Sequence, residues 1–308
     1  MKIKYQILCL GLLFIVSWAS VAHAKLNIVA TTSDLGAIAK EIGKDKIEVM
    51  SLAKPTEDPH FVDAKPSFIV KLNKADMLIE GGLQLEIGWL PPLVLSARNQ
   101  KILVGNPGYL IASSMGVQIL EIPDPSVTRA AGDIHSFGNP HLMLDPLNGK
   151  IVATHICDRL CQIDAANCNY YKDNLKDFTK RLEQKLPEWQ KMLEPFRGIK
   201  IVTYHNTFPY FAQRFGLNVV GALEPKPGIP PSPTHINSLI PMMKNEGVKL
   251  ILIEQFRERK IPEFVAERTG AKIVILPIMV GGQKEIQDYL ALFDYTINQI
   301  VSAIKTKS

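Results

Sequence analysis

Three of the seven histidines in this chain stand in loops, each just beyond a strand-like run or behind a proline. His60 lies in 57-EDPHF-61, a few residues after 47-IEVMS-51, and His141 lies in 138-GNPHLMLDP-146. His205 directly follows the apolar run 200-KIVTY-204. Neutral imidazole is the commonest protein ligand for borderline-soft metals, and Zn2+ accepts three such nitrogens plus one further group in tetrahedral geometry. Nitrogen donors disfavour Ca2+ and Mg2+, which take oxygen. The prolines before His60 and His141 remove a backbone donor and stiffen the approach of each ring. A lone loop histidine is ordinarily solvated or a satisfied hydrogen-bonding group. The separations of 81 and 64 residues match no short metal motif, so a shared site depends on how the fold gathers the three.

The elements able to gather them are legible in the pattern. An apolar run at 26–30, a helical pattern ending at Gly43 and a second run at 47–52 read as strand, helix, strand with short connections, the signature of a parallel α/β unit. Pro66 and Ser67 open another helix, and 76-DMLIE-80 and 101-KILVG-105 read as further strands. In 165–198, Leu175, Phe178, Leu182 and Leu186 recur among charges at three- and four-residue steps, which predicts a long amphipathic helix with Pro187 as a kink or joint. The rhythm then restarts, with strands predicted at 200–204, 218–222, 249–254 and 272–276 and helices at 208–215, 234–246, 260–268 and 284–304. The reading is α/β: a lobe over 25–164, a linking helix over 165–198 and a second parallel-sheet lobe over 199–308. Ligands of open parallel sheets bind beyond the carboxyl ends of the strands. His60 and His205 therefore point to a cleft between the lobes.

The first 24 residues read as a secretory signal peptide: Lys2 and Lys4, an apolar stretch over 7–19, then 22-AHA-24. The apolar stretch is short of the roughly 20 residues needed to span a bilayer. Cys9 sits inside it, too early for a lipid-modified cysteine. Removing the segment takes two lysines and no acid, so the formal charge falls from +5 to +3. With no block of Lys or Arg, a nucleic-acid groove is not expected. Cys157, Cys161 and Cys168 remain; Cys161 and Cys168 flank 162-QIDAAN-167, a junction a disulfide would staple, whereas three thiols without a fourth ligand make a poor zinc site.

The stretches 58-DPHFVDAKPS-67, 81-GGLQLEIGWLPPL-93, 138-GNPHLMLDP-146 and 202-VTYHNTFPYFAQRFGL-217, in that order, resemble the metal-binding solute receptors of bacterial ABC transporters, the TroA-like or ZnuA-like zinc/manganese family. The resemblance implies a periplasmic monomer of two α/β lobes bridged by a rigid helix, with His60, His141 and His205 as metal ligands in the cleft and delivery to a membrane permease. It also implies no enzymatic activity. One departure bears on metal choice. Where many members place a ligating carboxylate, this chain reads 275-ILPIMVGGQKE-285, with no acid near Ile278–Val280. A water, Glu254 or Glu285 is the expected substitute, and Met279 is expected to pack. Three imidazoles without a clear carboxylate favour Zn2+ over Mn2+, which prefers oxygen.

Some members carry a long His/Asp/Glu-rich loop; here 125-PSVTRAAGDIHSFG-138 holds only His135, either an aid to capture or a solvated loop residue. His155 and His235 are expected to be structural, and His23 leaves with the signal peptide. The rival function is an exported mononuclear zinc hydrolase with Glu254 as base, but HExxH and a nucleophile elbow are absent. A surface adhesin on the same fold is a third reading.

Overall fold

The computed structural model describes residues 24–306 apart from 115, 125 and 128–131; of the predicted signal peptide, only Ala24 falls within the described residues, and the rest lies outside them. Among the described residues, two four-stranded parallel sheets follow one plan. β1 (Leu26–Ala30), β2 (Ile47–Ser51), β3 (Met77–Glu80) and β4 (Tyr109–Ile111) lie in the order β2-β1-β3-β4, and β5 (Lys200–Thr203), β6 (Asn218–Ala222), β7 (Leu250–Glu254) and β8 (Lys272–Leu276) lie in the order β6-β5-β7-β8. In each sheet the order reverses beside the first strand, which places a crevice at the carboxyl ends of β1 and β5. One strand differs from the sequence reading. Residues 101–105 form a 3-10 turn and a bend, and the edge strand is Tyr109–Ile111. Only Ile102 of that run is buried deeply, while Val104 faces solvent and Gly105 takes a positive φ, so the apolar run cannot continue as a strand.

Helices α1 (Ser33–Gly43), α2 (Pro66–Lys74) and α3 (Leu90–Ala97) belong to the first sheet, and α6 (Pro209–Phe215), α7 (Pro233–Glu246) and α8 (Lys260–Thr269) to the second. Between them run α4 (Pro146–Ile163) and α5 (Cys168–Leu193), and α9 (Tyr289–Lys305) closes the chain. α5 has 26 residues, about 39 Å at 1.5 Å each, and continues through Pro187. It buries Tyr171, Phe178, Leu182, Trp189 and Leu193 along one stripe. A Cys161–Cys168 disulfide closes the turn between α4 and α5, and Cys157 is a buried free thiol.

That stripe does more than link. A single apolar core takes in α1, α4, α5 and α9 together with the inner faces of both sheets. Trp189 meets Phe293 at 5.3 Å between ring centres, and Tyr289 meets Phe293 at 5.2 Å. Smaller clusters sit on the outer face of each sheet. Polar ties reinforce the joint: Asn174 Nδ2 donates to Ile42 O at 2.9 Å, Trp189 Nε1 to Asp294 Oδ1 at 2.8 Å, and Ser33 Oγ to Val280 O at 2.6 Å. Met279 is part of this core, as expected of a packing residue. Among the described residues no helix is long and apolar enough to cross a membrane.

Candidate metal centre

Each histidine is set by its own short stretch of chain. In 57-EDPHF-61, Asp58 turns back on the backbone: its Oδ1 accepts from His60 N at 3.0 Å and faces His60 Nδ1 at 2.6 Å. Pro59 O accepts from Trp89 Nε1 at 3.0 Å, which ties this loop to the 81–93 segment. In 138-GNPHLMLDP-146, Asn139 Oδ1 accepts from His141 N at 3.0 Å. A 3-10 turn over Leu142–Leu144 then leads to Asp145, which caps α4 by accepting from Leu147 N at 2.9 Å, with Pro146 at the first helical position. Asn139 Nδ2 donates to Asn206 O at 2.8 Å, so the His141 loop is stitched to the residue after His205. His205 leaves the end of β5 and sets Nδ1 against Glu224 Oε2 at 2.7 Å.

The three rings form a nearly equilateral triangle. Ring centres lie 5.2 Å apart for His60 and His141, 5.3 Å for His60 and His205, and 5.3 Å for His141 and His205. All three are buried, and one ligand nitrogen from each lies within 4.8 Å of the others. A metal 2.0–2.1 Å from each nitrogen would hold them roughly 3.4 Å apart, so only a small inward shift separates this arrangement from coordination. Among the described residues, the Nε2 atoms of His60 and His141 are buried without a hydrogen-bond partner. Acceptors against Nδ1 of His60 and His205 place the ring proton there and leave the Nε2 lone pairs for a cation.

A fourth ring stands beside them. His135 is buried, not solvated, and its centre is 5.1 Å from that of His60. Its Nδ1 donates to Leu83 O at 3.0 Å, and its Nε2 is also buried without a partner among the described residues. With Asp133 it makes a second convergent group around His60, again with ligand atoms within 4.8 Å. The turn that holds it is strained: Leu83 and Gln84 have φ of 53° and 68°, the left-handed region that non-glycine residues rarely adopt. Gln84 Oε1 accepts from Ser136 N at 2.9 Å. Glu86 braces the turn from below, accepting from Thr31 Oγ1 at 2.7 Å, Gly81 N at 2.7 Å and Gly82 N at 3.2 Å. The 81–93 segment therefore supports both His60, through Trp89, and His135, through Leu83.

The electrostatics follow from burial. Desolvation, with His60 and His205 close by, holds His141 well below the ordinary imidazole range. Burial and the neighbouring His60 bring His135 down to about 4. Both rings are thus neutral and ready to donate lone pairs at neutral pH. Asp58 goes the other way: burial would raise it, but the hydrogen bond from His60 and the charges around it, Arg257 included, hold it at about 2.

The carboxylates weighed from the sequence as a fourth ligand stand elsewhere. Glu254 is fully buried at the end of β7, bonded by the Thr207 hydroxyl and faced by Arg257 Nε at 3.4 Å. Glu285 is exposed on the turn before α9. Neither belongs to a convergent ligand group among the described residues. His235 Nε2 donates to Ala222 O at 2.9 Å and is structural, and His155 is half-buried on α4.

Comparison with known proteins places the chain and its fold. The model of the family described as zinc-uptake complex component A, periplasmic (ZnuA), matches residues 28–303. The manganese ABC transporter substrate-binding lipoprotein PsaA of Streptococcus anginosus is 26% identical over 288 residues, covering 91% of this chain and 89% of that protein. The metal ABC transporter substrate-binding lipoprotein FimA of Streptococcus parasanguinis is 28% identical over 298 residues, covering 93% and 91%. A crystal structure of ZnuA superposes with a TM-score of 0.76 at 25% identity, covering 91% of this chain and 99% of that one. A cadmium-bound periplasmic metal-binding protein from Candidatus Liberibacter asiaticus shares the fold, with a TM-score of 0.74 at 21% identity over 91% of this chain and 100% of that one.

Proposed function

The chain belongs to the zinc-uptake complex component A family, and from that premise we propose that it is an extracytoplasmic receptor that captures Zn2+ and delivers it to an ABC permease. It is a binding protein of a transport system, not an enzyme. The triangle of buried imidazoles, with the Nε2 atoms of His60 and His141 unpartnered among the described residues, carries the reading. His60, His141 and His205 are the ligands. The fourth position falls to His135 or to a water, since Glu254 and Glu285 do not converge on the triangle. A nitrogen-rich site favours zinc over manganese, whose preferred donors are oxygens. The second reading is a manganese receptor, favoured by the relatives named for that metal and by Asp133 beside His60.

The protein works as a monomer, with lobes over 25–164 and 199–308 and a linker over 165–198. Export uses a cleaved signal peptide ending at Ala24, leaving the mature chain in the periplasm; a mass spectrum of exported protein beginning at Lys25 supports this, and an attached lipid refutes it.

Metal analysis and chelator-competition titrations of the mature chain test the function. Zinc binds more tightly than manganese, and His60→Ala, His141→Ala and His205→Ala each lose more than the roughly 10–100-fold that loss of an outer-sphere partner costs. Wild-type affinity in all three variants refutes the site. Stronger binding of manganese than of zinc transfers the assignment to the second reading. His135→Ala separates the two fourth ligands: a loss comparable to the other three assigns His135, and a change under about threefold assigns water.

A further inference from the structure

Beneath the triangle lies a second layer of charge that the transport reading does not use. Arg257, on the turn after β7, directs its guanidinium at three carboxylates: Nη2 lies 3.4 Å from Asp58 Oδ2, Nη1 3.3 Å from Glu224 Oε1, and Nε 3.4 Å from Glu254 Oε2. Two of these acids are divided in the same way. Asp58 gives Oδ1 to the His60 imidazole and Oδ2 to Arg257, while Glu224 gives Oε2 to the His205 imidazole and Oε1 to Arg257. Asp58 comes from the first lobe and Glu224 and Glu254 from the second. The side chain is mostly buried, its guanidinium carbon 5.1 Å from the Tyr204 ring centre and 5.3 Å from that of Phe256.

We propose that Arg257 is the positioning residue of the metal site, fixing the carboxylates that aim His60 and His205 and so locking one ligand from each lobe into a common register. It touches no metal. A carboxylate bonded to a ligating imidazole sets the ring's tautomer and tilt, but a carboxylate held at one oxygen only swings about that bond. Arg257 takes the other oxygen on both sides of the seam. A planar guanidinium spreads its donors over three nitrogens in a fixed fork, here one nitrogen to each acid, whereas a lysine ammonium gathers its three donors on a single rotatable atom. The proposal rests on the reading of His60 and His205 as ligands.

Positioning and simple electrostatics predict opposite signs. A fixed positive charge near a cation site repels the cation, so if charge alone mattered, Arg257→Met would tighten metal binding. If Arg257 positions the rings, Arg257→Met weakens zinc binding by about 10–100-fold, the usual range for an outer-sphere partner. The visible spectrum of the Co2+-loaded protein then departs from that of the parent, because the ligand geometry around the ion has changed. Arg257→Lys keeps the charge and recovers part of the affinity, but not the parent spectrum. Unchanged or tighter zinc binding by Arg257→Met, with an unchanged Co2+ spectrum, overturns the proposal. Should Arg257→Met fail to fold, as judged by circular dichroism, Arg257→Lys is decisive: parent affinity and parent spectrum in that variant overturn it. A parent chain that binds no transition metal refutes the receptor reading itself, whereas parent binding with indifferent Arg257 variants refutes this proposal alone.

Discussion

Replacing Gly149 by alanine sets two effects of opposite sign against each other. Gly149 lies in the first turns of α4, where alanine is ordinarily better than glycine by about 1 kcal/mol. A Cβ built there, however, falls 2.1 Å from Cε1, 2.5 Å from Cζ and 2.6 Å from Oη of Tyr289. Ordinary carbon contacts are about 3.5–4.0 Å, so the ring must retreat by roughly 1.5 Å. It has nowhere easy to go: Tyr289 is fully buried, set edge-on against Phe293, and its hydroxyl donates to Met143 O at 2.7 Å and lies 3.1 Å from Asp145 O. Overpacking costs about 1–3 kcal/mol, and disturbing the hydroxyl's hydrogen bonding costs about 1–2 kcal/mol more. Set against the helix gain, the net is a loss of about 1–4 kcal/mol. Urea unfolding of the metal-free mature chain, monitored by tryptophan fluorescence and circular dichroism, measures it as a lower midpoint at unchanged slope. A midpoint equal to or above that of the parent would show that helix propensity wins, and that the close approach of Tyr289 to α4 does not brace the joint between the lobes.

The Cys161–Cys168 bridge closes a short loop, sequence separation 7, and chain entropy assigns such a loop about 2.5 kcal/mol; the double serine variant loses about that much in urea unfolding while zinc affinity, read by chelator competition, is unchanged. His135 has a folded-state value of about 4, pushed down first by burial and then by His60, against about 6.5 in the unfolded chain. Between those limits the unfolded chain takes a proton that the folded chain refuses, so stability of the metal-free protein falls as pH drops from 6.5 toward 4. His135→Gln removes about 2 kcal/mol of that decline by pH 5, visible as a flatter plot of unfolding free energy against pH. Zinc at a hundredfold excess over its dissociation constant stabilises the parent by about 2.7 kcal/mol in thermal unfolding, reversed by EDTA and absent in His141→Ala.

What the sequence disclosed, and what it withheld, divides along the range of the interactions. His60 and its orienting Asp58 are two residues apart, and the Asp-Pro-His string displays both. His141 is announced by the proline before it. The alternation of strand and helix was legible because parallel strands buried on both faces read as continuous apolar runs. The edge strand was not: Tyr109–Ile111 has three residues, too few for a pattern, while the longer 101–105 run is a turn. Glu224 stands 19 residues from the ring it orients, and Arg257 meets Asp58 across 199 residues of chain, separations that carry no periodic signal. His135 was visible as a residue but not as a buried one, because its burial is made by Leu83 and Gln84 in a backbone conformation that their side chains do not advertise. Pro187, expected to kink or divide the long helix, sits within a continuous α5.

The apolar core shared by the two halves sets how this receptor can exchange its cargo. Pulling the halves apart would expose Phe178, Trp189, Tyr289 and Phe293, at about 2 kcal/mol each, roughly 8 kcal/mol in all. At 1.4 kcal/mol per decade, about one molecule in a million would be gaping at any instant. Loaded and unloaded forms must therefore present nearly the same silhouette, and a transporter that tells them apart has to do so at the rim, from the posture of a few loops. Unloading is then a local act of prying, not the opening of a jaw.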